Sequence, residues 1–217
     1  MLNNLVGGEI ANRLKQQVYE KVDSSESGTR DKKDSRMKVA VMFLDIRNFT
    51  PFVQSKPSKE TRRYLNALYE FMKEIIDQFK GIINQCIGDG FMTTFGAPVE
   101  LDNPCQSAVS AALQIQKVLQ AKINSGEIPH TRIGIGIDGG EAIAGHFGLA
   151  NHKLYTIAGN VVIVAARMEE LTKQFDATIL VSANVYKNIN GNLAGIQSMG
   201  EVALKGLSDP IEIYRLA

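Results

Sequence analysis

The chain has 217 residues, of which 44% are hydrophobic and 22% charged, and its formal net charge is +1. These values are typical of a globular protein with one main core, and a charge so near zero argues against a nucleic-acid surface, which needs clustered Lys and Arg. No apolar stretch approaches the ~20 residues of a membrane span and no secretion signal is recognisable, so we expect a cytoplasmic location. The two cysteines have no framework spacing and are predicted to be free thiols.

The N-terminal segment differs in pattern from the rest of the chain. Apolar residues at helical spacing predict an amphipathic helix within residues 2–20, followed by a polar linker that ends at residue 36. Such a leader suits either the tail of an upstream sensor or membrane domain, or a helix packed on its own domain. The folded domain is predicted to occupy residues 37–217.

The first elements of that domain are a strand and a long helix. Residues 38–45 (KVAVMFLD) predict a buried strand that ends at Asp45. Beyond Pro57, apolar residues recur every three or four positions as far as Phe79. This spacing predicts a helix, and Gly81 is expected at the position just after its C-terminus.

A hairpin, a second helix and a third strand region follow. Two apolar runs flank Gly88 to Gly90, and an Asp-Gly pair between such runs predicts a tight β-hairpin. Asn103 suits the N-cap of a helix that has Pro104 at its first position. Residues 131–138 (TRIGIGID) then alternate as a strand. The order βαββαβ is that of a ferredoxin-like domain.

The glycines of residues 134–139 match a dinucleotide-binding fingerprint in letters only. That fingerprint requires a turn and the start of a helix, whereas these glycines alternate with isoleucines inside the predicted strand. We therefore predict a strand whose glycine face allows another element to pack closely. The remaining predicted elements are a strand at 141–144, a helix at 160–175, a strand at 177–182, a helix at 184–189, and strands at 201–204 and 210–216.

The predicted fold class is thus α+β. It has a ferredoxin-like (βαββαβ, palm-type) core with a largely antiparallel sheet and helices on one face, plus a C-terminal α/β extension. In this topology the first strand lies beside the hairpin, which brings Asp45 and Asp89 to one edge of the sheet. Either residue alone is explained by its place in a turn or at a strand end. Their joint placement predicts a magnesium site for phosphoryl chemistry, because Mg²⁺ prefers one or two carboxylates plus phosphate oxygens.

Four blocks in this order resemble the catalytic domain of class III adenylyl and guanylyl cyclases. They are FLDIRNFT (43–50), IGDGFMTTFG (87–96), YTIAGNVVIVAARME (155–169) and VALKGLSDPIEIY (202–214). The resemblance implies a head-to-tail homodimer with nucleotide sites between the subunits. It also implies conversion of ATP, with GTP as the alternative, to a cyclic nucleotide and pyrophosphate, and it implies two divalent cations, Mg²⁺ or Mn²⁺, as cofactors.

The resemblance also assigns roles to residues of this chain. The implied metal ligands are Asp45, Asp89 and the backbone carbonyl of Ile46. The turn that begins at Arg47 is expected to offer backbone N–H groups to the phosphates, and the other subunit would supply Arg167 for the α-phosphate. Further implied contacts are Asn48, Phe49 and Thr50 for the phosphates, and Lys205 of the other subunit for the terminal phosphates.

Two features depart from the family pattern. Base selection is implied for Gln85 and Thr156, and Thr156 matches the bacterial adenylyl pattern, whereas an amide at residue 85 suits either purine. Ile163 stands where the family has a transition-state asparagine. The leading hypothesis is a slow adenylyl cyclase that prefers Mn²⁺. The alternatives are a guanylyl cyclase and a catalytically silent, nucleotide-binding or dimerising domain.

Overall fold

The computed structural model describes residues 35–149, 152–189, 195–205 and 207–216. The predicted N-terminal helix and nearly all of the predicted linker lie outside these residues. Within the described ranges, no helix combines the length and the hydrophobicity that crossing a membrane requires. The strands are β1 (Ser35–Ile46), β2 (Gly81–Ile87), β3 (Gly90–Phe95), β4 (Ile133–Leu149), β5 (His152–Ala158), β6 (Ile179–Ser182), β7 (Gln197–Val202) and β8 (Ile211–Arg215).

Five helices connect these strands in the described part of the chain. They are α1 (Phe49–Ser55), α2 (Ser58–Gln78), α3 (Pro104–Asn124), α4 (Asn160–Gln174) and α5 (Ala183–Asn188). The side chain of Asn103 accepts a hydrogen bond from the backbone N–H of Gln106 at 3.0 Å, which confirms the predicted N-cap of α3.

The strands form one mixed sheet in the order β2-β3-β1-β4-β6-β8-β7, with β5 paired to β4. The first four positions have the ferredoxin-like order, and the β1-β3, β2-β3, β4-β5, β6-β8 and β7-β8 pairs are antiparallel. The β4-β6 pair is parallel. The predicted α+β class with a largely antiparallel sheet is therefore confirmed.

Strand β4 is longer than the sequence indicated. Nearly all of the two strands predicted at 131–138 and 141–144 belongs to the single strand β4, which begins at Ile133 and pairs antiparallel with β5. The Gly139-Gly140 pair does not break the strand, because the pairing of residues 143–149 with residues 152–158 extends it. Strand β5 was not predicted, and β7 begins at Gln197, four residues before the predicted start.

Helix α2 ends in a different way from the one predicted. The residue with a left-handed backbone is Lys80 (φ 61°), not Gly81. Gly81 begins β2, where a Cβ would lie 2.5 Å from the Phe95 ring. Close packing against that ring, rather than a left-handed turn, is the physical reason for this glycine.

Helices lie on both faces of β4, so the predicted placement of the helices on one face is wrong. A Cβ on Gly136 would overlap the backbone of α4 at Ala165 and Glu169, whereas a Cβ on Gly139 would meet the Cys105 thiol of α3. These two positions point to opposite faces because side chains alternate along a strand. The prediction of a glycine face that admits a closely packed element is confirmed, and that element is α4.

Candidate active site

The two predicted metal carboxylates meet at one edge of the sheet. Asp45 is the penultimate residue of β1, which pairs with β3 from Ala40–Phe95 to Leu44–Phe91. Asp89 lies in the turn directly before β3. A Cβ on Gly90 would lie 3.3 Å from Oδ1 of Asp45, so β3 approaches the Asp45 carboxylate as closely as its missing side chain allows.

The turn that carries Asp89 lies within the predicted segment from Gly88 to Gly90. Ile87 pairs with Gly90, so the two loop residues are Gly88 and Asp89, and Gly90 already belongs to β3. Gly88 has a φ of 61°, and glycine in the first loop position is the mark of a type II′ hairpin turn. From α2, the Tyr69 hydroxyl donates a hydrogen bond to the Gly88 carbonyl at 3.3 Å and thereby holds the turn.

Asp45 and Asp89 form an acidic edge, whose negative charge neighbouring groups only partly compensate. Partial burial, and then the charge of Asp45, raise the pKa of Asp89 above its ordinary value. Hydrogen bonds from its own backbone N–H and from that of Ile46 act in the opposite direction. Lys173 of α4 lies 3.5 Å from Oδ2 of Asp45 and supplies one positive charge. The pair therefore has the electrostatic character of a cation site.

The segment after Asp45 is a helix rather than a simple turn. Asn48 adopts a left-handed conformation (φ 57°) and precedes α1. The Arg47 N–H donates to the Arg132 carbonyl at 2.8 Å, so this amide is not directed at a ligand as the sequence suggested. Phe49 and Thr50 are the first residues of α1, where N–H groups have no intrahelical acceptor. The Arg47 amide is thereby withdrawn from the predicted set, which leaves the amides of Asn48, Phe49 and Thr50 for an anion.

The side chain of Arg47 points into the protein, toward α4. Its Nη1 lies 3.6 Å from Oε1 of Glu169, with the side chains only 10% and 12% exposed, and its Nη2 donates to the Thr172 hydroxyl. Burial, the largest influence, lowers the pKa of Arg47. Burial and the nearby Asp45 raise the pKa of Glu169 to about 7. Glu169, Thr172 and Lys173 were not predicted from the sequence as site residues; their spacing along one side of a helix was the available signal.

Ile163 and Arg167 lie one helical turn apart on α4 and are accessible. Ile163 is 44% exposed, which is unusual for a large aliphatic residue in this domain. Arg167 forms a two-oxygen ion pair with Glu170 at 2.7 and 2.9 Å rather than with the acidic edge. In a single chain, this side of α4 therefore faces solvent.

The two residues implied in base selection lie on different strands. Gln85 is exposed on β2, next to a bulge at which the pairing shifts from Ile83–Thr93 to Gln85–Met92. The extra residue, Asn84, accepts a hydrogen bond from Thr94 at 2.7 Å. A bulge of this kind redirects the following side chain. Thr156 is partly buried on β5 opposite Gly145, and Lys205 is exposed after β7.

Other candidate chemistry is limited in the part of the chain that the structure describes. No group of three or more His, Cys, Asp or Glu side chains has the arrangement of a metal site there. Cys86 and Cys105 are both free thiols, as predicted. His130 is exposed before β4, and the side chains of His146 and His152 lie outside the described part. The three histidines were not assigned a role from the sequence.

Comparisons with known proteins agree with this arrangement. The sequence model for the adenylate and guanylate cyclase catalytic domain matches residues 32–217. The chain therefore belongs to this family, and it is a nucleotide cyclase domain, whose reaction class is that of a lyase. The resemblance inferred from the four sequence blocks is confirmed.

Individual relatives add detail. An uncharacterized protein of Mycobacterium tuberculosis is 32% identical over 176 residues, which cover 81% of this chain and 30% of the relative. The adenylyl cyclase CyaB from P. aeruginosa has a TM-score of 0.72 at 30% identity, over 83% of this chain and 94% of that one. The guanylate cyclase domain of RhGC from Catenaria anguillulae, in complex with GTP, has a TM-score of 0.71 at 27% identity, over 83% and 96%.

These similarities identify the domain family but do not distinguish ATP from GTP as the substrate. Structures similar to this chain include both an adenylyl and a guanylyl cyclase. The chain spans 30% of the length of the curated M. tuberculosis relative. Substrate choice, and any sensor or membrane domain joined to this one, are therefore matters for proposal.

Proposed function

We propose that this domain is an adenylyl cyclase that converts ATP to 3′,5′-cyclic AMP and pyrophosphate at sites formed between two copies of the chain. The observation that carries the proposal is the meeting of Asp45 and Asp89 at one sheet edge of a cyclase-family fold. In the reaction, the ribose 3′-oxygen loses its proton and bonds to the α-phosphorus as the bond to pyrophosphate breaks.

The residues at this edge fit two divalent cations. Asp45 and Asp89 offer hard oxygen ligands, the Ile46 carbonyl adds a third, and water and phosphate oxygens complete the coordination of Mg²⁺ or Mn²⁺. The repulsion that Asp45 exerts on the Asp89 carboxylate supports this fit, because a bound cation would relieve it. Such ions, when bound, favour deprotonation of the 3′-hydroxyl and neutralise the triphosphate.

The chain's own residues hold and orient the nucleotide in this proposal. The Asn48–Phe49–Thr50 segment directs the N–H groups at the start of α1 toward the phosphates. From the second copy, Arg167 stabilises charge that develops at the α-phosphate, and Lys205 meets the terminal phosphates. The exposure of Ile163 beside Arg167 supports a second copy on this side of α4, because an apolar residue there gains from being covered.

The choice of ATP over GTP is supported by Thr156, which matches the pattern of bacterial adenylyl cyclases. Gln85 does not oppose this choice, since an amide both donates and accepts hydrogen bonds. A guanylyl cyclase remains the alternative, and it would require Gln85 to contact guanine. Competition between ATP and GTP in one reaction distinguishes the two substrates.

A second candidate function is nucleotide binding or dimerisation without turnover. The observation that favours it is Ile163, an apolar residue at the position of the family's transition-state amide. One lost donor of this kind typically lowers a rate about 10²–10³-fold, so metals and Arg167 would still sustain slow catalysis. The silent domain predicts stabilisation by nucleotide, measured as a rise in Tm, with no product.

The test is a product assay with purified protein. The protein is incubated with ATP or GTP and with Mg²⁺ or Mn²⁺, and the products are resolved by chromatography. We expect slow formation of cyclic AMP, faster with Mn²⁺. A yield no higher than that of an Asp45→Ala variant would refute the enzymatic function. If cyclic GMP were the main product, the substrate would be GTP rather than ATP.

A further inference from the structure

The buried contact between Arg47 and α4 has no role in the chemistry proposed above. Arg47 lies two residues beyond Asp45, and its side chain is buried against α4. Its guanidinium contacts both Glu169 and Thr172, which are 122 and 125 positions away in the chain. The contact therefore joins the end of β1 to α4.

Burying these charged groups has a large desolvation cost. The facing atoms, Arg47 Nη1 and Glu169 Oε1, are both buried, and neither has a hydrogen-bond partner among the described residues. A well-packed apolar pair of similar volume is often as stable as a buried ion pair, or more stable. General stability is therefore a poor explanation for these charges, whereas a fixed orientation of the two elements is a good one.

The neighbouring strand is built around the same contact. A Cβ on Gly134 of β4 would overlap the Arg47 guanidinium and the Thr172 hydroxyl. Only glycine leaves room for the arginine to reach the helix at this point. Three separate segments, the end of β1, β4 and α4, thus have residues suited to this one contact.

The two connected elements carry different parts of the proposed site. Asp45 lies at the end of β1. Glu169, Thr172 and Lys173 share one side of α4, and Lys173 lies 3.5 Å from Asp45. Arg167 lies on the same helix but is directed to solvent, where it pairs with Glu170. The position of α4 relative to β1 therefore sets the position of Arg167 relative to Asp45.

We propose that Arg47 is a positioning residue, which fixes the Asp45 end of β1 against α4 through Glu169 and Thr172. This inference rests on the proposed function. In a dimer with shared sites, Asp45 and Asp89 of one subunit would contact one nucleotide, and Arg167 of the same subunit would contact the other nucleotide. The Arg47 contact would then fix the position of Asp45 relative to Arg167 and so affect both nucleotide sites.

The test replaces the charged pair without leaving a buried charge unpaired. The double variant Arg47→Met/Glu169→Met is expected to keep the Tm of the parent within a few degrees. Its affinity for Mn²⁺, measured by electron paramagnetic resonance, and its kcat are each expected to fall about 10–100-fold, the usual effect of removing groups that orient metal ligands. The KM for nucleotide should change much less than kcat.

Arg47→Lys provides a second, milder variant. It keeps a positive charge near Glu169 but cannot also contact Thr172, so we expect losses of kcat and of Mn²⁺ affinity that are smaller than those of the double variant. The matched control is Lys73→Met/Asp77→Asn, which removes an exposed ion pair of α2, and it should behave like the parent.

Parent-like kcat and Mn²⁺ affinity in the double variant would overturn the inference. Should that variant fail to fold, the same result for Arg47→Lys would overturn it. A parent that forms no cyclic product would refute the proposed function instead. In that case, the comparison of Mn²⁺ affinities still decides the role of Arg47.

Discussion

Ile163 is the residue that most affects the expected rate. It lies one turn before Arg167 on the exposed side of α4, at the position that the sequence resemblance assigns to the family's transition-state asparagine. An isoleucine there can strengthen an apolar contact with a second copy but cannot donate a hydrogen bond to the transition state. In the proposed dimer, the same side chain would favour association and limit turnover.

If the missing hydrogen-bond donor at Ile163 limits the rate, restoring it should increase activity. We expect Ile163→Asn to raise kcat, by up to about 10²–10³-fold if the restored amide has the geometry of an oxyanion donor. Ile163→Ala is the control, because it removes the apolar surface without supplying a donor. Steady-state rates of the two variants test this, and equal rates for Asn and Ala would contradict it.

Asp138 illustrates a buried carboxyl with a structural role. It is only 5% exposed, and it accepts a hydrogen bond from the Ser182 hydroxyl at 2.5 Å, next to the N-terminus of α5. Burial raises its pKa to about 6, against an ordinary value of 3.8. The folded protein therefore binds a proton here at pH values where the unfolded chain has released it.

The consequence is a measurable pH dependence of stability. This group's contribution is fully present below pH 4 and is lost as the pH rises through about 6, and a shift of two pKa units corresponds to about 3 kcal/mol. Asp138→Asn should remove this part of the slope. Urea unfolding between pH 4 and 7, at one protein concentration, tests it. Parallel curves for parent and variant would be the contrary result.

At the scale of elements, the sequence predicted the β1-α2-β2-β3-α3-β4 order because each element has a clear period and a clear boundary residue. It did not predict β5, or the continuity of β4, because both depend on the pairing of residues 143–149 with residues 152–158. Within the predicted turn segment, the assignment of Gly90 to β3 likewise depends on tertiary structure, because Gly90 closely approaches the Leu44 backbone of β1.

The site shows the same division. The convergence of Asp45 and Asp89 was predictable because each lies close to the end of an apolar run and the predicted topology places β1 beside the hairpin. The Arg47 contact with Glu169 and Thr172 was not, because it joins residues more than 120 positions apart and no local pattern marks it. Its only visible sign was the glycine face of β4, which indicated close packing but not the partner.

That close packing predicts the cost of adding one methyl group. A Cβ on Gly136 would overlap backbone atoms of α4, which cannot rotate away as a side chain can. We expect Gly136→Ala to lower the free energy of unfolding by about 1–3 kcal/mol and to reduce kcat by displacing α4. Gly140→Ala is the matched control, because no atom lies within 4 Å of its added Cβ. Equal losses of stability in both variants would contradict this packing.

At the scale of the whole molecule, the proposed reaction requires residues from two copies of the chain at each nucleotide site. One edge of each subunit bears the paired carboxylates, and a different side bears Ile163 and Arg167. A head-to-tail pair would place the metal edge of each subunit opposite the Arg167 side of the other. A dimer with two-fold symmetry then has two equivalent nucleotide sites.

Mixing two inactive variants tests this central claim most directly. Asp45→Ala and Arg167→Ala are unfolded together, refolded and assayed for cyclic nucleotide beside the parent and each variant alone. We predict about a quarter of the parent's specific activity, because half of the dimers are mixed and each has one of its two sites intact. A mixture no more active than the separate variants, with both folded and the parent active, would contradict the shared site.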